Sequence, residues 1–206
     1  MHDVLAAAKA LVEWGAEQGG DTGAQCELFL SRVDWDQELD LPQPVELPFA
    51  RDNLADACAL SSAPGTPARS VADALLANAQ NLAWNAMYAH YDAEPDMAAF
   101  RRVYGYVDLI GPRGPLQCDS VYMGVSLQGP DAYYPPHAHQ AVETYFTIGG
   151  TGDWKRGAEP WTSRPPGDVF LHTSGVRHAT QSNTEPLLAL AFWTSDLEGP
   201  IIIVRG

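Results

Sequence analysis

From about Tyr104 the chain becomes a succession of short apolar or alternating runs: VYGYVDLIG, CDSVYMGVSL, AVETYFTIGG, GDVFLHTSG, LLALAFWTS and PIIIVRG. Glycine, proline and aspartate clusters separate them, which is the spacing of an all-β barrel or jelly roll. Side chains alternate across a strand, so in LLALAFWTS the small Ala189 and Ala191 share a face with Trp193. That face leaves room inside a barrel, with an aromatic at its edge.

The first 103 residues read differently. Val4, Leu5, Ala8, Leu11 and Val12 recur at helical spacing, with Gly19-Gly20 as the stop. A second short helix is expected over Thr22 to Val33, then an acidic, proline-punctuated extended stretch, WDQELDLPQPVELP. Arg51 to Leu60 adds a helical turn or two before SSAPGTP breaks the chain. Ser70 with Asp73 resembles a capping box opening a long helix to about Tyr91, with Leu75, Ala79, Leu82 and Ala86 on one face. A last short helix is expected over Asp96 to Arg102. The expected architecture is mainly β, with residues 1–103 a helical N-terminal extension packed on a barrel formed by 104–206. The helical half shows no catalytic motif and offers a surface for a homodimer.

Composition narrows the partners. A length of 206 residues suits one domain with an appended segment. Only 12 Lys and Arg stand against 26 Asp and Glu, a net charge of −14, and phosphate binding needs clustered cations, so nucleic acid is excluded as a partner. No run approaches the ~18 apolar residues of a membrane span, and the N-terminus lacks a basic region followed by an apolar one. Cys26, Cys58 and Cys118 have no CxxC spacing and read as free thiols. The expected location is the cytoplasm.

Within the β half, Tyr133 to Gly150 packs His137, His139, Glu143 and three tyrosines into one run. His137 and His139 are two apart and can share a face, as can Glu143 and Tyr145, whether Gln140 to Val142 continues the strand or turns a hairpin. If that face is the barrel interior, burial of these groups together requires something to satisfy them, and a divalent cation does so for several at once. His172 shares inward parity with Asp168 and Phe170 and reads as packing or as support for a ligand.

The pattern H-x-H-x3-E-x6-G through Gly150, followed by Gly167, Gly175 and His178, resembles the two metal-binding motifs of the cupin superfamily. The resemblance covers about Tyr104 to the C-terminus and implies a double-stranded β-helix barrel, with His137, His139, Glu143 and His178 holding one divalent metal such as Zn2+, Fe2+ or Mn2+. Thr173 stands where that family usually has proline, Ser182 where it has asparagine, and the opening glycine lies further upstream, at Gly129. None of these changes removes a ligand.

The set H-x-H-x3-E-x-Y, with Trp193 fifteen residues past His178 and a helical extension, is similar to the cupin-type dimethylsulfoniopropionate (DMSP) lyases, carbon–sulfur lyases acting on a small zwitterionic sulfonium. By that resemblance Tyr145 is the base of a β-elimination giving dimethyl sulfide and acrylate, and Tyr134 assists it. A nearby cation stabilises a phenolate, which suits tyrosine to this work. The rings of Tyr122, Tyr134 and Trp193 are candidates to hold the sulfonium by cation–π attraction. An iron(II)-dependent dioxygenase of a small acid or thiol, and a non-catalytic ligand-binding cupin, remain alternatives on the same ligands.

Overall fold

The computed structural model describes residues 1–91 and 94–205. Among these residues five α-helices, α1 (His2–Glu17), α2 (Gly20–Arg32), α3 (Pro48–Ala59), α4 (Pro67–Ala77) and α5 (Pro95–Arg101), precede ten strands. These are β1 (Tyr104–Ile110), β2 (Tyr122–Gln128), β3 (Tyr133–Ala138), β4 (Glu143–Gly149), β5 (Gly152–Arg156), β6 (Thr162–Arg164), β7 (Val169–His172), β8 (His178–Ser182), β9 (Leu187–Trp193) and β10 (Ile202–Ile203). They form two antiparallel sheets ordered β1-β2-β9-β4-β7 and β10-β3-β8-β5-β6, the cupin barrel expected of the β half with the helices as its extension.

Strand β9 shows why the helices belong to the barrel. Leu188, Leu190 and Phe192 join Val4, Leu11, Phe29 and Leu54 in one apolar cluster on the outer face of the first sheet. The alternate residues Leu187, Ala189 and Ala191 face inward with Tyr145, Trp154 and Phe170. A strand covered on both faces reads as a continuous apolar run, which LLALAFW is. Gly149 marks the closest docking: a Cβ there would stand 2.0 Å from the Ala57 carbonyl oxygen of α3. Beside it the Ser61 hydroxyl donates to the Ile148 carbonyl at 2.5 Å.

The chain between the two motif halves neither extends one strand nor turns a hairpin. β3 lies in the second sheet and β4 in the first, so residues 139–142 carry the backbone across the barrel. Pro135 and Pro136 interrupt the pairing of β3 with β8, which shifts register between Tyr134 and His137. Proline has no N–H to give the ladder, and such a bulge lets residues three apart point the same way. Tyr134 and His137 are both buried as a result, with their rings stacked at 3.8 Å.

One helix differs from expectation. Thr66, not Ser70, caps α4, its hydroxyl accepting the Arg69 N–H at 3.3 Å with Pro67 in the first turn. Asp73 pairs instead with Arg69 at 2.7 Å. The helix ends at Ala77 rather than near Tyr91, and after a 3-10 turn (Ala79–Asn81) the chain bridges Val45 through Ala83 and Tyr106 through Asn85. Leu82 and Trp84 are buried on alternate positions, so a period of two governs this stretch where a helical stripe was expected.

Among the described residues no helix is long and apolar enough to cross a membrane. Cys26 and Cys58 are buried free thiols, and burial pushes both up to about 12.

Candidate metal centre and its tyrosine pocket

Strand register assembles the centre. On β4, Glu143 lies directly opposite His172 of β7 on one side and Trp193 of β9 on the other. His178, the first residue of β8, pairs with His137 of β3, and His139 follows just past the end of β3. Among the described residues, His139, Glu143 and His178 bring their ligand atoms within 4.8 Å of one another, all three buried. His137, expected as a fourth ligand, stands outside that group. Its ring centroid is 4.1 Å from that of His178 and 6.4 Å from that of His139.

Backbone carbonyls set the tautomers. His137 Nδ1 meets the Pro135 carbonyl at 2.9 Å, His139 Nδ1 that of Ala141 at 3.0 Å, and His178 Nδ1 that of Val176 at 2.9 Å. A carbonyl oxygen only accepts, so each Nδ1 carries the hydrogen and each neutral ring presents the lone pair of Nε2. For His139 and His178 that nitrogen faces Glu143 Oε2, at 3.0 and 3.4 Å. Two imidazole lone pairs against a carboxylate oxygen repel unless a proton or a cation lies among them. His178 Nε2 is buried without a hydrogen-bond partner. The donor set and this orphaned atom both fit a divalent ion.

Burial would raise the Glu143 carboxyl, but the imidazoles of His139, His172 and His178 around it hold it well below its ordinary value. For His139 burial works downward and is outweighed by Glu143, so its pKa is raised. His137, buried and beside His178, is lowered well below its ordinary value. His172 is lowered to about 4, by burial first and then by His178. Its Nδ1 lies 3.9 Å from Glu143 Oε2 and lacks a hydrogen-bond partner, which places this histidine against the centre.

Above the centre is a cavity of about 100 Å³ lined by His137, His139, Glu143, Ala191, Trp193 and six tyrosines: 88, 104, 106, 122, 134 and 145. The chain has 8 tyrosines, so most of its phenols converge here. Tyr145 is raised well above its ordinary value by burial first and by the Glu143 charge second. Tyr134 is stacked between Phe100, at 4.4 Å, and His137. Both faces of its ring are covered, so the expected cation–π contact at Tyr134 is not available, and what it presents is its hydroxyl edge. Trp193 stacks one face on His139 at 4.5 Å and donates its Nε1–H to Glu143 Oε1 at 2.8 Å.

Tyr88 and Met87 of the helical half line the same cavity, although that half showed no site motif. The Tyr88 hydroxyl lies 2.5 Å from that of Tyr134. Tyr88 also holds a left-handed backbone at φ 69°, uncommon for an aromatic residue and characteristic of functional sites. The aromatic density of WNAMYAHY was the available signal. A larger groove of about 460 Å³ lies between the 44–47 segment, α3 and the end of α4. Its charged residues Glu46 and Arg51 pair with each other at 2.6 Å, and it carries no comparable cluster.

A cupin barrel with a buried His/Glu/His group that could hold a metal ion defines the class. The dimethylsulfoniopropionate lyase family model matches residues 43–189, and the chain belongs to that family. It is 39% identical over 90 residues to the DMSP lyase DddQ of Ruegeria pomeroyi, covering 44% of this chain and 45% of that protein. The chain matches about half the length of its curated relatives. A crystal structure of the Ruegeria pomeroyi enzyme superposes with a TM-score of 0.68 at 29% identity, over 82% of this chain and 83% of that one. A chain from the crystal structures of the DMSP lyases RdDddP and RnDddQII gives 0.79 at 23% identity, over 98% and 96%, a likeness of fold.

Proposed function

We propose that this chain is a metal-dependent DMSP lyase, splitting its substrate into dimethyl sulfide and acrylate. The observation that carries this reading is the convergence of His139, Glu143 and His178 beneath a phenol-lined cavity, in a chain of this family.

His139, Glu143 and His178 would hold one divalent ion, with His137 at its flank; zinc, iron(II) and manganese(II) suit this imidazole and carboxylate set. When bound, the ion supplies positive charge that attracts the substrate carboxylate and opposes the burial and Glu143 charge acting on Tyr145. Tyr145, as phenolate, takes the proton from the carbon next to the carboxylate. The electron pair left behind forms the carbon–carbon double bond of acrylate, the carbon–sulfur bond breaks, and neutral dimethyl sulfide departs. Tyr134, bonded to Tyr88, presents a hydroxyl to the reacting groups. The ring of Tyr122 and the open face of Trp193 hold the sulfonium, for roughly 0.5–2 kcal/mol per contact.

The test is headspace dimethyl sulfide, with acrylate in solution, from metal-loaded and chelator-stripped protein without oxygen. Release from loaded protein alone is expected. No release from protein shown to contain metal would reject the lyase reading, and a requirement for oxygen would turn the assignment to a dioxygenase.

A further inference from the structure

We propose that Trp193 is a positioning residue for the metal ligands, acting through its indole N–H, and not only an aromatic face for substrate. The inference rests on the metal reading above.

The two oxygens of Glu143 have separate surroundings. Oε2 faces His139 Nε2 at 3.0 Å, His178 Nε2 at 3.4 Å and His172 Nδ1 at 3.9 Å. Oε1 accepts from Trp193 Nε1 at 2.8 Å. One oxygen is turned to the imidazoles while the other is fixed on the opposite side by a neutral donor. A carboxylate free to rotate about its last torsion would exchange them. The indole N–H, itself held by β9 directly opposite Glu143 on β4, blocks that rotation.

The indole restrains a second ligand as well. It stacks on His139 with ring centroids 4.5 Å apart and planes 30° apart, while the Ala141 carbonyl fixes the far nitrogen of the same imidazole at 3.0 Å. Tyr122, opposite Trp193 on β2, meets the indole edge-on at 5.8 Å and 64°. Trp193 therefore orients the carboxylate by a hydrogen bond and the imidazole by contact. Tryptophan supplies both, since its bicyclic ring carries one donor and no competing acceptor. Outer partners of this kind govern metal affinity by about 10–100-fold.

The deciding measurement is chelator competition for Zn2+ in wild type and Trp193→Phe, paired with the visible spectrum of the Co2+-loaded proteins. Phenylalanine keeps a ring over His139 and removes the N–H. The expected result is metal affinity weaker by about 10–100-fold with a shifted cobalt spectrum. Equal affinity and an unchanged spectrum, with only KM for DMSP raised, would overturn the positioning role and leave Trp193 as a substrate contact. Wild type that takes up no metal would overturn the metal reading and this inference together. If Trp193→Phe does not fold, benzothienylalanine at 193, which keeps the bicyclic shape without the N–H, is measured in the same way.

Discussion

The hydroxyls of Tyr88 and Tyr134 lie 2.5 Å apart, joining a residue of the helical half to the strand that leads into the histidines. Tyr134 has its ring faces taken by Phe100 and His137, so this bond sets what its oxygen can offer. In Tyr88→Phe, removing one partner of a buried pair costs roughly 1–3 kcal/mol of stability. Turnover of DMSP should fall about tenfold, equivalent to about 1.4 kcal/mol on the barrier, with metal content unchanged. Full turnover in a folded variant would show that Tyr134 acts without Tyr88.

Tyr145→Phe separates chemistry from scaffolding. The ring packs against Trp154 at 4.6 Å and Phe170 at 5.7 Å, contacts a phenylalanine retains. Metal content and melting temperature should hold while kcat drops by about 10²–10⁴. Retained kcat would assign the base elsewhere.

Acid should weaken the metal-free fold. His172 titrates near 4 when folded and near 6.5 when unfolded, so between these values the unfolded chain binds a proton the native state refuses. The stabilising contribution is complete above about pH 6.5 and is lost on acidification toward about pH 4, by roughly 3 kcal/mol. Urea unfolding of chelator-stripped protein across this window should show the decline, and His172→Asn should make it shallower, leaving the part that comes from His137, also lowered. The slopes, not the absolute stabilities, are the comparison.

Gly149→Ala tests the seat of the helices. The added methyl would meet the Ala57 carbonyl oxygen at 2.0 Å, a backbone atom that cannot rotate away. A loss of at least about 2 kcal/mol is expected in urea. An unaffected midpoint would mean that α3 shifts freely on the sheet.

The strands and the grouping of His139, Glu143 and His178 were legible because period-two alternation and residue spacing are local properties. The inward small residues were legible for the same reason, although only Ala191 lines the cavity, while Ala189 is packed with Tyr145, Trp154 and Phe170. Tyr88 was hidden, since Leu82 and Trp84 alternate within a stretch whose apolar residues also fit a helical stripe. The stacking of Tyr134 on His137 depends on the bulge at Pro135-Pro136, which inverts the parity that alternation would assign. The bond from Trp193 to Glu143 arises from register between strands about fifty positions apart, and long-range register is not written in either strand alone.

The three residues of the buried His/Glu/His group come from opposite walls of the barrel. Glu143 stands on the first sheet, while His178 begins β8 of the second and His139 follows β3 of the same sheet. An ion shared among them would act as a clasp across a seam. Its supply would govern how firmly the two walls are fastened as well as whether the chemistry runs, so starvation for metal would loosen the vessel at the moment it idles the catalyst.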